Sequence, residues 1–146
     1  MTDLAGVSII TLAVEDIPAS VVFYESLGWE NSSHSQESIA FLQGHNVALA
    51  LYGNESVEEE FGEAHEPNEF PNVTLAVNFS DQDRVDQFYR TAMDAGAEAI
   101  RKPDQTFWGG YSGYFRDPDG HMWEAAHNPF VPFKDNGQLD LLGAKA

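Results

Sequence analysis

The chain has 146 residues, 24 acidic against 7 basic side chains and no cysteine, giving a formal net charge of −17. The missing cysteine excludes disulfides, thiolate metal sites and thiol nucleophiles. The negative field argues against nucleic acid and against anionic membrane surfaces as partners. Fifteen acids precede the first Lys or Arg, which is Arg84. Most of this charge reads as a solvated surface, and adaptation to high salt is the sharper alternative. The opening Met-Thr-Asp-Leu has no basic start and no apolar run reaches membrane length, so a cytoplasmic protein is expected.

In chain order, Val7 to Val14 is apolar and rich in β-branched residues, which predicts a strand. Asp16 then offers an N-cap and Pro18 a first-turn residue for a helix running to about Leu27, stopped by Gly28. Strands are predicted near 29–33, 38–43 and 46–52. The acidic stretch 54–70 reads as a linker with room for a short helix. A second strand–helix pair follows at 73–79 and 81–95, then strands near 98–101, 107–116 and 121–127. The tail 129–146, with Pro129, Pro132 and Gly137, is expected to lie over the surface.

The second half repeats the first. Thr11-Leu12-Ala13-Val14 returns as Thr74-Leu75-Ala76-Val77, Phe23-Tyr24 as Phe88-Tyr89, Gly28 as Gly96, and Gly44-His45 as Gly120-His121. Four matches in one order predict an α+β fold of two βαβββ modules, at about 6–53 and 71–128, within a single domain.

Strand alternation assigns the faces. Ile10, Leu12 and Val14 lie on one side of the first strand, and Ile9, Thr11 and Ala13 on the other. The repeat sets Val73, Leu75 and Val77 against Asn72, Thr74 and Ala76. The large aliphatic side suits packing under helices. The side of small and polar residues suits a concave ligand site. Asp117-Pro118-Asp119-Gly120 predicts a hairpin turn. Pairing Arg116 with His121 would set Gly113 opposite Glu124 and Tyr111 opposite Ala126. Glu124, an acid within an apolar strand, is the leading functional candidate, and an accompanying proton, cation or hydrogen-bond donor is expected. Trp108 and Tyr111, beside the run Gly109-Gly110, are candidate aromatic walls. Thr11, Asn72, Thr74 and Met122 are the other candidate substrate contacts. The five histidines form no apparent catalytic or metal constellation.

Thr11 to Asp16, Phe23-Tyr24 and Leu27-Gly28-Trp29, with the closing run Phe115 to Glu124, resemble the glyoxalase/bleomycin-resistance/extradiol-dioxygenase group, the vicinal oxygen chelate superfamily. Phe107 to Phe115 and Asn128-Pro129-Phe130 further resemble a glyoxalase-like branch. The resemblance implies that the modules form a curved mixed sheet, a U-shaped cup with helices outside, commonly in a homodimer. Metal-using members place ligands at positions matching Ile9, Ala48, Asn72 and Glu124. Of these, Glu124 alone has the family's ligand chemistry, so no metal or other cofactor is expected. The implied function is small-molecule binding in the cup, of the bleomycin-resistance kind. Alternatives are a lyase, isomerase or dioxygenase-like enzyme using Glu124 as base or metal ligand, and a structural dimer without ligand.

Overall fold

The computed structural model describes residues 6–61 and 73–143. The described residues form an α+β structure with two four-stranded mixed sheets and three helices. The chain divides into two compact units, Met1–His65 and Glu66–Ala146.

In the first unit, β1 (Ile9–Val14) pairs in parallel with β4 (Ala48–Gly53). Antiparallel β3 (Ile39–Gln43) and the short β2 (Glu30–Asn31) complete the order β1-β4-β3-β2. Helix α1 (Ile17–Ser26) starts at Asp16, whose carboxylate accepts from the Ala19 amide at 3.0 Å. This N-cap partners one of the backbone donors a helix start leaves free. Gly28 follows the helix at φ 102°, a backbone conformation that favours glycine. Phe23 and Tyr24 are buried, as are Leu12, Val14, Leu42, Leu49 and Leu51 on one sheet face. The expected aliphatic side is therefore the core.

The second unit repeats this plan. Strand β5 (Leu75–Asn78) pairs in parallel with β8 (Met122–His127), followed by β7 (Tyr111–Arg116) and β6 (Glu98–Gln105) in the order β5-β8-β7-β6. Helix α3 (Gln82–Asp94) is capped by Asp81, which accepts from the Arg84 amide at 2.8 Å. Its Phe88 and Tyr89 rings meet buried Phe115 at centroid distances of 6.1 and 5.9 Å.

The short helix for which the acidic linker had room is α2 (Asn54–Phe61), which packs on β1 and β4. Two local differences from the sequence expectation follow. Strand β6 runs on to Gln105, while residues 106–110 form a turn instead of the start of β7. Gly109 takes φ 92° in that turn, and the Thr106 hydroxyl accepts from the Gly110 amide at 2.9 Å. In the tail, Phe133 and Leu139 form an isolated antiparallel bridge. Among the described residues no helix is long and apolar enough to cross a membrane.

Candidate functional site

The closing hairpin sets the geometry around Glu124. Asp117 receives hydrogen bonds at its carboxylate from the amides of Asp119 (3.0 Å) and His121 (2.8 Å), while its own amide donates to the His121 carbonyl. These bonds close the turn between 117 and 121, so the next pair is Arg116 with Met122. The predicted pairing is therefore one residue out. Glu124 stands opposite Tyr114, Gly113 opposite Ala125, and Tyr111 opposite His127. A one-residue slip exchanges the faces of one strand relative to its neighbour.

Gly113 accordingly leaves no space for Glu124. A Cβ there would lie 2.7 Å from the Pro103 backbone nitrogen, so the glycine permits the close passage of β6. Beside it, β6 carries register shifts between Ala99 and Arg101 and between Arg101 and Asp104. Gly110 serves its own turn, because the Trp108 ring occupies the space a side chain would need.

The pairing places Ala76, Glu124, Tyr114 and Arg101 in one row across β5, β8, β7 and β6. Alternation sets this row on the face away from α3, since Phe115 and Trp123 carry the helix-covered side. Glu124 is half-buried, and Tyr114 is its cross-strand neighbour. Tyr114 is held above the usual phenol range, first by burial and then by the facing Glu124 carboxylate; Arg101 pulls the other way. The Arg101 guanidinium carbon lies 5.6 Å from the Tyr114 ring centroid, within cation–π range. Its Nη2 reaches the carbonyl and hydroxyl of Ser112, each at 3.4 Å. The row thus presents a carboxylate and a guanidinium joined by one aromatic ring.

Not every predicted contact joins it. Met122 shares the Glu124 face by alternation, half-buried opposite Arg116, and exposed Thr74 precedes Ala76 on the same side. Tyr111 is on the other face, where its hydroxyl donates to Asp86 of α3 at 2.6 Å. That bond, with burial and the neighbouring acids, pushes its pKa up to about 12. Trp108 lies in the β6–β7 turn, 39% exposed, against Gly110. Thr11 belongs to the first unit, where it lines a hollow with Ala13, Ile39 and Tyr52. Asn72 and His65 lie outside the described residues. His127 falls on the face opposite Glu124, its Nδ1 2.9 Å from the Phe79 carbonyl.

Tyr114 and Arg101 were missed by sequence reasoning. Counting Asp117 to His121 as a five-residue turn would have found Tyr114, and nothing in the sequence signals the β6 irregularities that bring Arg101 over it. The family's metal positions do not fit this chain. Ile9 and Ala48 are register partners in β1 and β4, and neither has a donor atom. The counterpart of Glu124 also changes. Ala13 and Ala76 are equivalent in the repeat, and their partners are Tyr52 and Glu124, so Tyr52 rather than Ala48 stands at the matching place. Among the described residues no three His, Asp or Glu side chains converge to hold a metal ion.

Comparison with known proteins bears on the family. The chain is 25% identical over 120 residues to the metallothiol transferase FosB of Shouchella clausii, covering 82% of this chain and 77% of FosB. It superposes with a TM-score of 0.83 on a glyoxalase-related enzyme from Fulvimarina pelagi, at 32% identity over 96% of this chain and all of that one. Lactoylglutathione lyase from Agrobacterium tumefaciens shares the fold, with a TM-score of 0.65 at 19% identity, covering 86% of this chain and 96% of the lyase. The family model spans residues 6–125, and the chain belongs to the Glyoxalase/Bleomycin resistance protein/Dioxygenase superfamily.

Proposed function

We propose that the protein binds a small polar molecule on the open face of its second sheet, without the divalent metal centre of metal-using relatives. The observation that carries this reading is the row Glu124–Tyr114–Arg101 beside the small side chain of Ala76. A half-buried carboxylate favours a ligand cation or hydrogen-bond donor, and a guanidinium favours an anionic group. The Tyr114 ring between them supplies a stacking surface. A ligand carrying both charges matches the row, and an amino-acid thiol conjugate is one such class. FosB, by its name a metallothiol transferase, lends the thiol class support, and the metal-free part of the reading does not rest on it. The metal-free reading rests on donor chemistry, because the Ile9 side chain has no donor atom and Tyr52, at the place matching Glu124, offers a phenol held in its protonated form.

The test is a thermal-shift and calorimetric screen of amino-acid thiol conjugates, with S-benzylcysteine as the first probe. At 100 times its dissociation constant, a ligand adds about 2.7 kcal/mol to stability. Glu124→Gln and Arg101→Ala should each remove most of the shift. Shifts unchanged in Glu124→Gln would sink the assignment.

One observation favours a second reading, an enzyme of the lyase, isomerase or transferase kind. Glu124 stands half-buried on the open sheet face opposite Tyr114, where its carboxylate can reach a bound ligand as a general base must. Turnover of a conjugate that is lost in Glu124→Gln would select it. A homodimer in the cytoplasm belongs to the same proposal, and light scattering of the purified chain reads the dimer directly.

A further inference from the structure

The chain makes one kind of hairpin turn twice. Between β7 and β8, the Asp117 amide donates to the His121 carbonyl and the Gly120 amide to the Asp117 carbonyl, both at 3.0 Å. In the tail, the Lys134 amide donates to the Gln138 carbonyl at 2.7 Å and the Gly137 amide to the Lys134 carbonyl at 2.9 Å. Gly120 and Gly137 take φ 91° and 88°, at the position where a three-residue hairpin loop calls for a left-handed residue. The tail turn thereby brings Phe133 against Leu139, and the Asp140 amide continues the pairing to the Pro132 carbonyl at 2.8 Å.

The two turns differ in where one amide goes. In the first, the His121 amide donates to the carboxylate of buried Asp117 at 2.8 Å. Lys134 stands at the matching place in the tail and its side chain has no acceptor. The Gln138 amide turns instead to the Asn136 side chain and donates to its Oδ1 at 3.1 Å. That bond polarises the side-chain carbonyl, making Cγ more electrophilic, and folds it back along the following peptide. Asn136 is followed by glycine, as no other asparagine in the sequence is, so no side chain shields the next backbone nitrogen. Both residues are exposed.

We propose that Asn136–Gly137 is a self-modification site, at which the chain deamidates through a cyclic imide. The Gly137 amide leaves the Lys134 carbonyl when this exposed turn opens, a local event that costs far less than unfolding. Its nitrogen bonds to Asn136 Cγ, and its proton departs with the side-chain nitrogen as ammonia. Water then opens the five-membered ring at one of its two carbonyls, leaving either an aspartate or an isoaspartyl link. The net change is water in and ammonia out, with nothing oxidised or reduced. Either product places a carboxylate beside Asp135. The isoaspartyl product also lengthens the loop by one backbone atom, which breaks the Lys134–Gln138 closure and releases the tail hairpin. Asp119–Gly120 is spared, because Asp117 holds the His121 amide and opening that turn means parting β7 from β8.

The experiment ages the full-length chain in mildly alkaline buffer and maps its peptides by mass spectrometry, with isoaspartate counted by an isoaspartyl methyltransferase. The segment holding Asn136 should gain the mass of an amide-to-acid change and carry the isoaspartate, while the segment holding Asp119 carries none. Lys134→Asn rebuilds the acceptor of the first turn without adding charge. By drawing the Gln138 amide away from Asn136 it should slow conversion about tenfold, the scale of one hydrogen bond at the reacting carbonyl. Lys134→Ala removes the same charge without supplying an acceptor and should convert at the parent rate. Hydrogen exchange should show the Lys134 amide losing its protection as the parent chain ages and keeping it in Asn136→Gln. Glu124→Gln should age like the parent, so this proposal and the open-face reading fail separately. The proposal is overturned if Asn136 is intact in the folded chain when the urea-denatured chain has fully converted. It is equally overturned by isoaspartate forming at Asp119 as fast as at Asn136, or by equal rates in Lys134→Asn and Lys134→Ala.

Discussion

The two sheets are built to one plan and finished differently. Each joins its first and last strands in parallel and packs one face under a helix capped by aspartate, Asp16 or Asp81. The faces opposite have diverged. Where Ala13 looks across to Tyr52 in the first unit, Ala76 looks across to Glu124 in the second. Both places form a tyrosine–carboxylate pair, but the partners are exchanged. In the first, β4 gives Tyr52 and α2 gives Glu60; in the second, β8 gives the acid and β7 the tyrosine. Burial on the helix side constrains the repeat, because a core side chain cannot change size without leaving a cavity or a clash. The other side is free of that constraint and can acquire separate chemistry.

The comparison breaks most readily at the cores. Phe115→Ala should destabilise the protein by about 3–5 kcal/mol and Leu51→Ala by about 2–5 kcal/mol, read by urea unfolding. Both residues are fully buried, so a loss below 1 kcal/mol in either would contradict the view that the helix-covered faces carry the repeat. The caps give a smaller and more symmetrical effect. Asp16→Ala and Asp81→Ala should each cost about 1 kcal/mol, and a large inequality would show that the two helix starts are not equivalent.

The smallest effects separate the open faces. Absorbance titration of the tyrosines should show Tyr52, Tyr114 and Tyr111 all ionising above the ordinary 10, with Tyr111 last, near pH 12. Each folded-state pKa is raised, so the stability it contributes is present below the unfolded value near 10. That stability is lost as pH rises through the folded value, for Tyr111 between about 10 and 12. Tyr111→Phe should delete the highest step alone, and Glu124→Gln should lower the Tyr114 step while sparing Tyr52. Movement of the Tyr52 step in Glu124→Gln would show that the two pairs are not separate.

The duplicated plan was legible in the sequence because it rests on short-range signals. Alternation in Ile9 to Val14, a cap at Asp16 and a stop at Gly28 act within a few residues, and their recurrence around Leu75, Asp81 and Gly96 declared the second module. Glu124 was legible for a related reason, as a lone acid among apolar neighbours. Its surroundings were not. They depend on whether the Asp117 turn closes over four residues or five, and one residue decides whether Gly113 or Tyr114 meets the carboxylate. Tyr111 passed to the α3 side by the same slip.

By itself, then, the sequence determined the α+β class, the paired modules and the buried side of the first sheet, since periodicity and capping are local properties of the chain. Tertiary structure decided which side chains share a face with Glu124, that Arg101 reaches over Tyr114, and that α2 walls a hollow against β1 and β4. Those outcomes depend on register and on contacts between residues far apart in sequence, where a shift of one position exchanges one face of a strand for the other.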